Sequence, residues 1–188
     1  MRDHSTTHLD PRSPLVLDTG QLPRAPGSLR TVERVVAAPK DLGLALIGVP
    51  EGAELSLDLR LESVSEGVLV SGTVSAPAEG ECARCLRPIS TELVVTLQEL
   101  FAYPDSTTEA TTEQDEVGRL RGDLIDLQPA VRDAVVLALP TSPLCREDCP
   151  GLCPECGAHW DDLPADHRHG GPVDPRWAAL DNVTLTEE

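Results

Sequence analysis

A chain of 188 residues holds one ordinary domain with appendages, and its 32 acidic against 15 basic side chains, a formal net charge of −17, repel phosphate backbones. Its only aromatics are Phe101, Tyr103, Trp160 and Trp177, so base-stacking platforms are excluded and the core must be built from Leu, Val and Ala. The start, Met1-Arg2-Asp3-His4-Ser5, lacks the apolar run of a signal peptide, and the longest apolar run, Ala134 to Leu139, is too short to span a bilayer. A cytoplasmic protein with reduced thiols is therefore expected, without a membrane partner.

Residues 1–14 are polar and aperiodic and read as a disordered tail, with His4 and His8 solvated rather than ligating. Leu15, Val16 and Leu17 form a short edge strand or docking segment, and Pro23, Pro26 and Gly27 mark a loop. Sheet follows at Leu29 to Val36 and at Leu44 to Val49. Leu55, Leu57, Leu59 and Leu61 then alternate with polar residues, and Val68, Val70, Gly72 and Val74 alternate again after a Glu66-Gly67 turn. Glu54 to Ser75 is thus an antiparallel hairpin with one buried face. Ile89, Thr91, Leu93, Val95 and Leu97 share a face of the next strand, and the acidic, low-complexity stretch 104–118 reads as a disordered insert.

Asp126 is suited to cap a helix that tolerates Pro129 in its first turn, repeats Leu127, Val131, Ala134, Val135 and Ala138 at helical spacing, and stops at Pro140. Residues 15–144 are accordingly an α+β core, an antiparallel β-sheet meander whose leucine face is covered by this one main helix. Beyond it lie a Cys-rich segment, 145–180, in which Trp177 and Leu180 suggest a short docking helix, and a frayed end, 181–188.

Four of the six cysteines fall between Cys145 and Cys156, among charges, prolines and glycines that no apolar core would hold. Cys153-Pro154-Glu155-Cys156-Gly157 has the form of a zinc knuckle, in which amides after the first thiolate point back at its sulfur and glycine permits the reversal. Cys82-Ala83-Arg84-Cys85 has the same spacing and lies on a strand connection. Zinc is the cofactor these spacings imply.

The cysteines with His167 and His169 make eight ligands, enough for two tetrahedral sites. The sequential pairing joins Cys82 and Cys85 to Cys145 and Cys149, and Cys153 and Cys156 to His167 and His169. Two alternatives stay open: a single ribbon of Cys82, Cys85, Cys153 and Cys156 with two spare thiols, and surface roles for the two histidines. His159 follows the last knuckle too closely to close onto the same metal. All-cysteine ligation argues against hydrolysis, because a catalytic zinc keeps a position for water.

Cys82-Ala83-Arg84-Cys85-Leu86-Arg87-Pro88, the Ile125-Asp126-Leu127 that opens the helix, the block from Pro143 to Gly157 and Asp174-Pro175-Arg176 together resemble the YceD family of large ribosomal RNA subunit accumulation proteins, in the form found in actinobacteria. The resemblance implies a bacterial factor needed for accumulation of large-subunit ribosomal RNA, with no established catalytic activity and typically encoded beside a small zinc-binding ribosomal protein. Many members carry Cys-x-Cys where this chain has His167-Arg168-His169.

The leading expectation is therefore a non-enzymatic zinc-binding factor supporting ribosome assembly. Its acidity points to a basic ribosomal protein or a pre-ribosomal particle as partner, with weak direct rRNA contact and no small-molecule substrate. Arg84, Arg87, Arg119 and Arg121 are the basic residues nearest to a patch, and they read as surface or ion-pair groups. The alternative is a thiol-based redox or zinc-release sensor. A thioredoxin-like use of Cys82 and Cys85 would place them at the start of a helix in a βαβ unit, not after antiparallel strands.

Overall fold

The computed structural model describes residues 9–104, 106–112 and 117–169. The leucine alternation forms β4 (Glu54–Val64), and the valine alternation forms β5 (Gly67–Glu81), paired antiparallel from Ser56↔Ser75 to Val64↔Gly67. β5 runs past the expected end of the hairpin because Ala76 and Ala78 continue the buried alternation. Pro77 is tolerated there. It falls between the ladder to β4, which ends at Ser75, and the ladder to β3 (Ile47–Gly48), which begins at Glu79, so its missing N–H breaks neither.

β6 (Pro88–Ala102) pairs with all of β5, and β2 (Leu29–Ala37) pairs with β4 to form the outer edge. A two-residue strand, β7 (Gly118–Arg119), adds in parallel to β6. The strand expected over Leu44 to Val49 is reduced to β3. Gly43 bridges Gly48 in a tight reversal with the two backbones in contact, which leaves Leu44 and Leu46 exposed at its tip.

On the leucine face lie a two-stranded antiparallel sheet, β1 (Val16–Asp18) with β8 (Leu124–Asp126), and the helix α2 (Gln128–Ala138). Leu15, Leu17, Ile125, Leu127, Val131 and Val135 meet Leu55, Leu59, Leu61 and Val70 in one core, all at 2% exposure or less. Each such side chain contributes about 1.5–3 kcal/mol on burial. The helix begins two residues after Asp126, which is the last residue of β8. Its carboxylate still accepts the Gln128 N–H at 3.0 Å, so the cap acts from just outside the helix.

Within the 104–118 insert, expected to lack structure, Thr107–Thr111 forms a single helical turn, α1. The Thr108 N–H and hydroxyl both donate to Glu66 Oε2 in the β4–β5 turn, an N-cap supplied by another element. Residues 113–116 of the insert, the histidines of the N-terminal tail, the Trp177–Leu180 segment and the C-terminal end lie outside the described residues. No helix among the described residues is long and apolar enough to cross a membrane.

Candidate metal centre

The two Cys-x-x-Cys stretches fold alike. The Cys82 N–H donates to Arg87 O and the Leu86 N–H to Cys82 O, both at 2.9 Å. Seventy-one residues later the Cys153 N–H donates to Ala158 O at 2.8 Å and the Gly157 N–H to Cys153 O at 2.9 Å. Each reversal turns on a left-handed residue after the second cysteine, Gly157 at φ +71° and Leu86 at φ +61°. The first knuckle is clamped between the ends of β5 and β6, so sheet register fixes its position.

The chain leaving α2 crosses this knuckle. Pro143 O accepts the Ala83 N–H at 2.8 Å, and Arg84 Nη1 donates to Cys149 O at 2.9 Å. Gly151, at φ +81°, turns the chain against Arg84, whose carbonyl oxygen lies only 3.1 Å from where a Cβ would stand. These contacts carry Cys145 and Cys149 to the first knuckle and deliver Cys153 just beyond it.

Two ligand groups result. Cys82, Cys85, Cys145 and Cys149 form one, Cys153, Cys156, His167 and His169 the other, and within each the ligand atoms all lie within 4.8 Å of one another. The arrangement is the sequential pairing; Cys153 and Cys156 stand with the histidines rather than with Cys82 and Cys85. His159 belongs to neither group, because its backbone bridges Leu152.

Donor geometry tests the fit of a metal. Sγ–Sγ separations of 3.8 Å (Cys82–Cys149) and 3.6 Å (Cys85–Cys145) match the edge of about 3.8 Å expected of a tetrahedron with 2.3 Å zinc–sulfur bonds. In the second group Cys156 Sγ lies 3.7 Å from His167 Nε2, and Cys153 Sγ 3.2 Å from His169 Nε2. The two Nε2 atoms are 2.7 Å apart, a hydrogen-bond distance that is tighter than a tetrahedral N–N edge of about 3.3 Å. Soft thiolate and imidazole donors in these sets suit a zinc-like cation.

The first group is buried at Cys82, Cys85 and Cys149 and walled by Ile89, Leu144 and Leu152, whereas Cys145 and Cys156 are exposed residues. Burial opposes ionisation of Cys82, yet the amides of Cys145, Arg84 and Cys85 outweigh it and bring that thiol down to about 6. Cys153 also falls to about 6, led by the Cys156 amide against burial and helped by Glu155 and His167. The first thiol of each knuckle is thus readily ionised. Cys145 is pushed up to about 12 by desolvation of its sulfur and by the thiols of Cys149, Cys85 and Cys82. The Arg87 amide favours the Cys85 thiolate, but burial with the Cys82 and Cys149 sulfurs pushes it up. The raised Cys85 and Cys145 thiols resist ionisation beside a Cys82 thiolate, and a dication is the group that would favour their ionised forms.

Behind the ligands runs an ion-pair network without a sequence signature, since Arg87 and Asp161 are 74 residues apart. Arg146 grips both oxygens of Asp161 and also pairs with Asp148 at 3.0 Å. Arg87 reaches Asp161 at 3.4 Å and Asp162 at 3.0 Å. Both aspartates sit on the 3-10 turn Trp160–Asp162, and Trp160 stands edge-on to His167 with ring centroids 5.6 Å apart. Two of the four arginines nearest to a basic patch are therefore committed: Arg87 to aspartates and Arg84 to a carbonyl.

The sequence profile of the family described as large ribosomal RNA subunit accumulation protein YceD matches residues 70–184. An uncharacterized protein of Mycobacterium tuberculosis is 55% identical over 168 residues, covering 89% of this chain and 80% of that one. A Mycobacterium leprae protein is 47% identical over 91% of this chain and 78% of its own length. The uncharacterized protein YlbN of Bacillus subtilis is 28% identical over 70% of this chain and 72% of its own length. No solved structure matches.

Proposed function

The chain belongs to the YceD family of large ribosomal RNA subunit accumulation proteins, and from that premise we propose that it is a non-enzymatic, zinc-stapled factor supporting large-subunit assembly. The observation that carries this reading is the pair of four-donor groups. Each is complete in protein ligands, as structural sites are, and keeps no position for a reacting water.

Bound zinc would supply charge to neutralise the thiolates and would cross-link the β5–β6 connection to the chain after α2. Cys82, Cys85, Cys145 and Cys149 would hold one ion, and Cys153, Cys156, His167 and His169 the other. The net charge of −17 favours a basic ribosomal protein, or an assembly intermediate displaying one, over naked rRNA. The protein acts in the cytoplasm by binding and release.

Zinc content per chain after purification without added metal tests the staple: two ions are expected, falling to one in the His167→Ala/His169→Ala variant. Depletion in cells tests the role. The large-subunit to small-subunit rRNA ratio should fall and be restored by the wild-type gene but not by Cys82→Ser/Cys85→Ser; an unchanged ratio refutes the assignment. The exposed positions of Cys145 and Cys156 favour a second reading, a sensor that releases zinc on oxidation. Retention of both ions under mild peroxide would remove it.

A further inference from the structure

The face of the sheet opposite the leucines is covered by no described element. Across it the register aligns Val35, Ser56, Ser75 and Val94 in one row, and both valines are more than 60% exposed. The flanking rows are acidic, with Glu33, Glu54, Asp58, Glu62, Glu79 and Glu92 directed to this side and Arg60 the one cation among these strand positions. Arg60 is already paired with Glu62 at 3.0 Å.

Glu33 stands directly opposite Asp58, a cross-strand pairing of like charges that destabilises the free sheet. Neither has an ion-pair partner among the described residues. Near the β3 end, a groove of about 670 Å³ opens between Glu54 and Glu92, floored by Ser56, Ser75 and Pro77. Carboxylates at both walls and hydroxyls below suit a long cationic side chain, which can lay its methylenes on Pro77 and place its charge between the glutamates.

We propose that this open face of β2, β4, β5 and β6 is a docking surface for a lysine- and arginine-rich segment of a protein partner, whose cations relieve the facing Glu33 and Asp58 carboxylates. The proposal rests on the basic-partner reading above and adds where that partner binds. Charge selects the occupant. RNA is repelled, a second copy would set the same acidic face against itself, and residues 170–188 carry four acidic side chains against one arginine.

The test titrates the isotopically labelled, zinc-loaded full chain with a synthetic lysine- and arginine-rich peptide at physiological salt, following backbone amides. Two quadruple variants accompany it. One neutralises the face (Glu33→Gln, Glu54→Gln, Asp58→Asn, Glu92→Gln); the other makes the same charge change elsewhere on the surface (Asp10→Asn, Asp41→Asn, Glu51→Gln, Asp133→Asn). The expected result is shifts centred on Ser56, Thr73, Ser75 and Thr96 and an affinity at least tenfold lower in the face variant than in the charge-matched control. Equal weakening in both variants, or shifts centred on other elements, overturns this face while leaving the basic-partner reading standing. A wild-type chain that does not bind the peptide overturns both.

Discussion

Arg146 and Asp161, fifteen residues apart, form a two-pronged ion pair that ties the loop between Cys145 and Cys149 to the 3-10 turn lying between the cysteines and the histidines of the second ligand group. The hydrogen bonds from Arg146, working against partial desolvation and joined by the charges of Arg146 and Arg87, hold the Asp161 carboxyl below the usual carboxylate range. A carboxyl depressed on folding stabilises the fold above its unfolded pKa of about 3.9, and that contribution is lost as pH falls through the folded value. Asp161→Asn should therefore be less stable than wild type at neutral pH, and the difference should shrink below about pH 4. Denaturant midpoints of the two proteins across that range decide it; a constant difference would assign Asp161 a packing role instead.

The two ligand groups should release metal in order. The first closes contacts over more than sixty residues of sequence, Cys82 to Cys149, and is largely buried, whereas the second spans Cys153 to His169 and leaves Cys156 exposed. A chelator reaches the exposed set first, and opening it costs only local structure. Zinc release should be biphasic, with the fast half absent in His167→Ala/His169→Ala. Loss of the second ion should coincide with global unfolding, read by far-ultraviolet circular dichroism. A single phase for both ions would mean that the network through Arg87, Arg146 and Asp161 makes them one unit.

The core and both knuckles were legible because each is a local pattern. Leu55 to Leu61 declare a face by alternation, and each Cys-x-x-Cys declares a turn by spacing. The grouping of the ligands was legible as one of several pairings. What selects among them is the Ala83–Pro143 hydrogen bond and the turn at Gly151, contacts between segments distant in sequence. The Asp161 bridge was hidden for the same reason, since an aspartate in a polar loop reads as solvated until the chain brings two guanidinium groups to it. The helical turn in the acidic insert depends on Glu66, some forty residues earlier, which no local composition could reveal. Leu44 to Val49 misled in the opposite direction, because an apolar run reads as strand whether it lies in a sheet or at a hairpin tip.

Leu86 occupies in the first knuckle the left-handed position that Gly157 holds in the second. A leucine there bears a steric cost of about 1–2 kcal/mol, and at 56% exposure its side chain recovers only part of that by packing. Leu86→Gly, which keeps the Leu86 N–H bond to Cys82 O, should raise stability by up to about 1 kcal/mol, the backbone entropy of glycine offsetting the rest. A higher denaturant midpoint at unchanged slope would confirm it. A lower midpoint would show that the leucine shields the buried thiols, and faster chelation of the first ion should then accompany it.

Asp58 allows the cost of the acidic sheet face to be measured in the free protein. It lies opposite Glu33 in register, while the neighbouring cation, Arg60, is held by Glu62, so the two carboxylates repel without compensation from that guanidinium. Asp58→Asn keeps the shape and removes one charge, and a cross-strand like-charge pair is worth about 0.2–1 kcal/mol. The variant should be more stable by that amount at low salt, with the gain shrinking as salt screens the pair. Glu33→Gln should give the same gain, and the double variant little more than either alone, because once one charge is gone the other has nothing to repel. Additive gains would mean that each carboxylate responds to the overall negative charge of the chain rather than to its cross-strand partner.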